Sequence, residues 1–330
     1  MILAHATHLV AMGHDVTIKT SIVDTVFPLD ERLTIQKTAS KSKLQSILKC
    51  LTEAHDSDWV VADIVPLACL LYFRNRQTVL YFAQDYDESY YSSFLQKIFI
   101  RSLYHLGLSW LKIPVVAVSD YLQEILSRRF NARVAVVTNG VDLDTFFPDP
   151  DSDLLTRKKD RKVILILSRG DRRKGFDLAK SIVRRVKNEI TTPFEVWTVG
   201  DVATGCFEGV CHRDFGYVRE EKLRKLFSSA DVFLYPTRHE GFGLMVAEAF
   251  ASGCPVVTTD AVPFVKDGQN ALVSQIEDVD AIFESLQKLL SDPERARHLV
   301  NEGIAFANEH SLASACRRFA AILEKRHALR

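Results

Sequence analysis

Charge of one sign is what this chain lacks: 42 Lys and Arg stand against 42 Asp and Glu. Splitting it at residue 150 leaves 14 basic against 16 acidic side chains, then 28 against 26. Neither half carries the basic excess of a nucleic-acid binder, so nucleic acid is excluded as a partner. Long apolar runs are missing too. Pro66–Phe73 is too short and Ile98–Trp110 too polar to span a bilayer, so a soluble chain is expected. Met1–Val10 has two histidines but neither a charged leader region nor a small-residue cleavage site, and does not read as a signal peptide. The six cysteines, at 50, 69, 206, 211, 254 and 316, form no C-x-x-C pair. Free thiols in a reducing, cytoplasmic compartment are expected. Cys206, Cys211 and His212 lack the second cluster a metal site would need and read as loop residues.

What is present is length, apolar content and rhythm. A chain of 330 residues with 47% apolar composition exceeds the usual single core, and two domains are expected. Short β-branched runs alternate with helical patterns: Val16–Thr20, Trp59–Ala62, Thr78–Ala83, Val115–Ser119 and Val134–Thr138, then Val163–Ser168, Phe194–Val199, Val232–Tyr235 and Pro255–Thr259. This is the grammar of parallel sheets covered by helices. Proline and charge break the rhythm at Phe147–Asp160, which places domains at 1–148 and 161–310 with a linker at 149–160. The end, 311–330, reads as an amphipathic helix with Ala313, Cys316, Phe319, Ala320 and Leu323 on one stripe, expected to pack back on the N-terminal domain. Residues 2–12 already look like a first helix, so the strand and glycine turn that open a doubly wound domain are expected to be lacking.

The densest signal is His239-Glu240-Gly241-Phe242-Gly243-Leu244-Met245-Val246-Ala247-Glu248, running on to Gly253-Cys254-Pro255. It reads as strand end, glycine loop, short helix, glycine stop and next strand. Gly241 and Gly243 leave backbone N–H groups open to a ligand, and the helix starting near Leu244 points its positive end there, a site for anions and hydroxyls. Glu248 lies in a helix otherwise built of Leu, Met, Val, Ala and Phe. An unpartnered carboxylate there costs on the order of several kcal/mol, so a partner is required, either a ligand hydroxyl or an unidentified Arg or Lys.

Upstream, Val163–Ser168 runs into Arg169-Gly170-Asp171-Arg172-Arg173-Lys174-Gly175, placing Arg169 and Lys174 at the carboxyl edge of a first strand. Cations there suit a diphosphate, the guanidinium by forked hydrogen bonds and the ammonium as a point charge. Arg172 and Arg173 read as a solvated face.

Residues 163–275 resemble the donor domain of glycosyltransferase family 4, the group 1 glycosyltransferases of GT-B fold. The resemblance rests on six segments in order: 168–178, 215–218 (Phe-Gly-Tyr-Val), 229–236, 240–248 (Glu-Gly-Phe-Gly with a second glutamate), 251–257 and 267–273. In the first half, Val116–Leu122 and Val137–Pro148 resemble the end of the family's acceptor domain. The resemblance implies an α/β chain of two Rossmann-like doubly wound domains facing a central cleft.

It also implies roles. Arg169 and Lys174 match the pair that neutralises the diphosphate, Glu240 lies beside the donor sugar, and Glu248 holds the ribose. Backbone around Gly241, Phe242, Gly243 and Leu244 receives sugar hydroxyls or phosphate. Transfer retains anomeric configuration through a same-face, oxocarbenium-like state, the departing phosphate taking the acceptor's proton; no nucleophile, metal or other cofactor is expected. The pair Asp149 and Asp151 falls in the expected linker and is not read as a metal site.

Three departures qualify this. Gln84-Asp85-Tyr86-Asp87 stands where many relatives have His-Asp reaching the donor sugar; with Tyr90 and Tyr91 it is similar to some rhamnosyltransferases of bacterial surface-polysaccharide assembly. Gln84 and Asp85 are therefore candidate donor residues. After Thr259-Asp260 the usual two glycines are replaced by Ala261-Val262-Pro263. The lacking first strand leaves a non-catalytic nucleotide-sugar binding remnant as the alternative function. The acceptor is expected to be a glycan or lipid-linked. Ser93–Leu111, apolar with Lys97 and Arg101, reads as a buried helix of the first domain, the other reading being contact with an anionic inner-membrane surface.

Overall fold

The computed structural model describes residues 1–20, 30–37, 57–74, 78–201 and 207–328. Cys50, Cys206 and Leu329 lie outside the described residues. The chain divides into two compact units, Met1–Asn139 with Leu312–Arg330, and Gly140–Ser311.

In the first unit, helix α1 (Ile2–Ala11) leads to a parallel pair, β1 (Thr17–Thr20) and β2 (Thr34–Lys37). A separate parallel sheet follows in the order β3 (Val60–Ala62), β4 (Val79–Ala83), β5 (Val115–Ala117), β6 (Val134–Val136). Strand β4 is Val-Leu-Tyr-Phe-Ala and buried throughout, as a strand covered on both faces must be. Helices α2 (Val65–Arg74), α3 (Phe94–Tyr104) and α4 (Asp120–Phe130) connect the strands. Ser119 caps α4 by accepting from Leu122 N–H, and Asn131 closes it in the left-handed conformation.

Helix α3 is not buried as expected. It turns into a π-helical segment, His105–Trp110, and its inward residues are Ile100, Tyr104 and Leu108. Phe94, Leu95, Ile98 and Phe99 face solvent. The segment is apolar on both sides, and helical periodicity names two apolar stripes without saying which is covered.

The second unit opens with Gly140–Pro148 and α5 (Ser152–Lys158), so the stretch expected as a linker is structured against this unit. Asp149 accepts from Arg224, Asp151 caps α5, and Lys158 pairs with Asp231 at 2.8 Å. Its sheet comprises β7 (Lys162–Ser168), β8 (Phe194–Gly200), β9 (His212–Asp214), β10 (Val232–Tyr235), β11 (Val256–Thr259) and β12 (Leu272–Ser274). They lie all parallel in the order β12-β11-β10-β7-β8-β9. That is the doubly wound arrangement, with the order reversing between β7 and β10. Helices α6 (Phe176–Glu189), α7 (Glu220–Ser229), α8 (Leu244–Ala251), α9 (Val279–Ser291) and α10 (Pro293–Glu309) cover it. Ile164, Ile166, Ile182, Val196, Leu234 and Leu286 form the centre of one core layer.

The last helix, α11 (Leu312–Ala328), belongs to the first unit. Cys316, Phe319, Ala320 and Leu323 are buried, Phe319 beside Phe82 of β4 and His5 of α1, while Ala315 rather than Ala313 completes the inward stripe.

Candidate functional site

In a doubly wound sheet, a crevice opens beyond the carboxyl ends of the two strands where the order reverses. Here those strands are β7 and β10, and the loops leaving them carry the residues singled out from sequence. After Ser168 come Arg169-Gly170-Asp171, one 3-10 turn (Arg172–Lys174), Gly175 and then α6. After Tyr235 come Pro236 to Gly243 and then α8.

The two loops are stitched together. Arg238 N–H donates to Arg173 O at 2.7 Å, and Thr237 Oγ1 shares its one proton between that carbonyl at 2.9 Å and Glu240 Oε1 at 3.1 Å. Gly175 has φ +69°, and a Cβ there would sit 1.8 Å from Pro236 O, so only glycine lets the loops approach this closely. Arg238 continues the stitching by side chain. Its guanidinium donates to Arg172 O at 2.7 Å, takes Asp177 in a forked pair at 2.7 and 2.8 Å, and pairs with Glu277. The Arg238 guanidinium holds both carboxyls below their usual range.

Within this frame Lys174 Nζ donates to Glu240 Oε1 at 2.8 Å. The same oxygen accepts from Tyr235 OH at 2.5 Å and Thr237 Oγ1 at 3.1 Å, so the buried carboxylate is held by one charged and two neutral donors. Burial, then the adjacent Glu240 charge, push the Tyr235 phenol far up, which keeps it a donor. Arg169 is exposed and has no hydrogen-bond or ion-pair partner among the described residues. Of the two cations read as a diphosphate clamp, one is therefore engaged by Glu240 and the other is open.

Gly243, at φ +102°, starts α8. A Cβ on it would lie 2.9 Å from Val262 Cγ1. The first helical amides that find an acceptor are Val246 and Ala247, both on Gly243 O, so the N–H groups of Leu244 and Met245 project from the helix start. With the helix dipole they form a receptor for oxygen atoms. The Phe242 ring is committed to packing, 4.8 Å from Phe264, which leaves its backbone as the part that can meet a ligand. Gly241 is buried in the same turn.

Glu248, one turn into α8, is half-buried and its carboxylate has no partner among the described residues. The partner expected from sequence is thus not supplied by an Arg or Lys among the described residues. Burial, and then the Glu220 carboxylate, push it up to about 8.

Gln84 and Asp85 follow β4 in the first unit and are both half-buried. Asp85 Oδ1 accepts from Tyr86 N–H at 2.7 Å. The rest of that run is internally engaged. Asp87 accepts from Val65 N–H at 2.8 Å, and burial pushes it up to about 7. Tyr86 donates to Glu88 at 2.6 Å, and Glu88 pairs with Arg101 at 2.5 Å. Among the described residues, no three His, Cys, Asp or Glu side chains are grouped to hold a metal ion.

Residues 161–292 match the sequence model of the family described as Glycosyl transferases group 1. The match falls within the unit that holds the two loops, and through it this chain is similar to the group 1 glycosyltransferases. Among curated proteins it is 31% identical over 210 residues to a GDP-mannose-dependent alpha-(1-6)-phosphatidylinositol monomannoside mannosyltransferase of Mycolicibacterium smegmatis, covering 55% of this chain and 54% of that one. The chain spans about half the length of the curated relatives it matches. Among solved structures it is similar to a sucrose-phosphate synthase from Thermosynechococcus elongatus, with TM-score 0.83 at 18% identity over 99% of this chain and 92% of that one. It is also similar to Anabaena HepE in complex with UDP and glucose, with TM-score 0.72 at 16% identity over 89% and 86%. The fold is GT-B, in keeping with two parallel-sheeted α/β units.

Proposed function

We propose that the chain transfers a sugar, with retention of configuration, from a nucleotide-diphosphate donor to a glycan or lipid-linked acceptor in bacterial surface-polysaccharide assembly. The observation that carries this is the set of groups between β7 and β10: a paired Lys174–Glu240, an open Arg169, free amides at the start of α8, and Glu248 without a partner among the described residues. Lys174 and Arg169 match a diphosphate, Glu240 and the free amides the transferred sugar, and Glu248 a ribose. Arg169, with Lys174 shared between Glu240 and the ligand, stabilises charge as it develops on the leaving diphosphate, and ribose hydroxyls donate to Glu248. No metal or other cofactor enters this reading.

The names of the relatives point to different donors, since one uses GDP-mannose and the other holds UDP and glucose. The Gln84-Asp85-Tyr86 run adds a deoxysugar such as rhamnose to the candidates. A cytoplasmic enzyme meeting its lipid-linked acceptor at the membrane face fits the lipid named for the first relative; no helix of the described residues is long and apolar enough to cross a membrane.

A thermal-shift screen against UDP-, GDP- and dTDP-sugars, with Glu248→Ala as control, tests the reading. At a hundred times its dissociation constant a ligand adds about 2.7 kcal/mol. A shift with one nucleotide that the variant loses supports the donor site and names the base, and NMR of the product then reads the anomeric outcome. A shift without transfer to any acceptor leaves the binding remnant, and no shift from a folded sample overturns the donor reading.

A further inference from the structure

Helix α3 carries an outward stripe that none of the described residues of its own unit covers. Phe94 and Leu95 are each 75% exposed and Phe99 62%, with Ile98 between them. Their spacing of three to five residues puts them on one face, opposite the inward Ile100 and Tyr104. Large apolar side chains exposed singly need no explanation, whereas four on one helical face do.

A second helix extends the patch. Val65 and Cys69 of α2 both lie against Gly107, and Cys69 Sγ donates to Leu103 O at 3.3 Å. Helix α2 therefore runs back along α3, and its last turn, with Phe73 69% exposed and Arg74, heads for the part of α3 that bears Phe99.

The charge around this patch has one sign. From Ser89 to Ser119 there is no Asp or Glu, and α2 has none either. Lys97 and Arg74 have no carboxylate partner among the described residues, while Arg101 is matched by Glu88. Apolar side chains interleaved with unmatched cations are complementary to an anionic lipid surface, where the rings enter the headgroup boundary and the cations stay among phosphates. A second copy is a poorer partner, because a twofold contact through this stripe brings Lys97 and Arg74 against themselves.

We propose that the outward face of α3, with the end of α2, is the surface by which this chain docks on anionic phospholipid. The proposal rests on the membrane-side part of the functional reading. Its test needs neither donor nor acceptor, so it can fail while the donor site stands, and the converse.

The experiment is flotation of the full chain with vesicles of pure phosphatidylcholine and of phosphatidylcholine with phosphatidylglycerol. The expected result is partition onto the anionic vesicles, weakened by salt and reduced at least tenfold in Phe94→Ser/Phe99→Ser. Lys97→Glu reads the same surface independently should the serine pair disturb folding, which far-ultraviolet circular dichroism checks. Absence of partition, or equal partition of wild type and both variants, overturns the proposal. So does a concentration-dependent dimer in sedimentation that Phe94→Ser/Phe99→Ser abolishes, which gives the surface to a second copy.

Discussion

Lys174 Nζ sits 2.8 Å from Glu240 Oε1, joining two residues 66 positions apart in sequence on the loops that leave β7 and β10. The lysine side chain is 20% exposed and the carboxylate 10%, so neither is well compensated by water. Lys174→Met leaves Glu240 with only Tyr235 and Thr237 as neutral donors. A loss of about 2–4 kcal/mol is expected in urea unfolding, within the range for breaking a largely buried pair. Glu240→Gln on top of Lys174→Met should restore part of it, giving a double-mutant coupling above about 1 kcal/mol; additive effects would mean the two side chains act separately.

Arg238 is expected to matter more for the loops than for the fold. Its forked pair with Asp177 and its contact with Glu277 involve carboxylates that are about half exposed, so water screens them and Arg238→Ala should cost about 1–2 kcal/mol. Both carboxyls are held below their ordinary range, so this stabilisation is present above the unfolded carboxylate pKa and fades as pH falls through the folded one. The wild-type advantage should therefore be full at pH 7 and small near pH 3. Arg238→Lys should recover little of it, because a point charge cannot take two oxygens of Asp177 in a fork. Denaturant titrations at the two pH values check this.

The donor-side half was legible because its strands are continuous β-branched runs and its loops carry glycines whose spacing is dictated by backbone shape. Strand Val232–Tyr235 has the bounds read from sequence. Strands β9 and β12 escaped notice since each has three residues, and His-Arg-Asp of β9 has none of the composition of a covered strand. Arg238 escaped too. It stands inside the recognised motif, but its partners Asp177 and Glu277 are 61 and 39 residues away, and nothing local marks the meeting. Helix α3 failed for the opposite reason, since two apolar stripes on one segment look alike until the neighbours are placed.

The glycines of the two loops should differ in tolerance. At Gly175 a new Cβ would meet the backbone oxygen of Pro236 at 1.8 Å, and neither loop can retreat without breaking the Arg238–Arg173 hydrogen bond. At Gly243 it would meet the Val262 side chain at 2.9 Å, which can turn aside. Both have positive φ, adding about 1–2 kcal/mol of backbone strain for alanine. Gly175→Ala is expected to cost more than about 3 kcal/mol or to prevent folding, and Gly243→Ala about 1–2 kcal/mol. Equal melting temperatures for the two variants would contradict the close approach.

Glu248 gives the sharpest pH signature. Its carboxyl is raised from 4.5 to about 8 in the folded chain by burial and the Glu220 charge. The native state then holds a proton that the unfolded state releases, so this group lowers stability progressively from about pH 4.5 to about pH 8. Glu248→Gln removes that penalty. The variant should be as stable as wild type near pH 4.5 and about 1–3 kcal/mol more stable at pH 8.5, the full shift being discounted for the solvent that reaches a half-buried side chain. Ligand binding should run the other way. Hydroxyls that donate to the carboxylate favour its charged form, so nucleotide affinity of the wild type should rise with pH up to about 8 and release a proton on binding, while Glu248→Gln binds weakly with a flat profile. Isothermal titration in two buffers of different ionisation enthalpy measures the proton directly. A nucleotide that binds wild type and Glu248→Gln with the same affinity and no proton release would place the ribose elsewhere and leave Glu248 as an uncompensated structural acid.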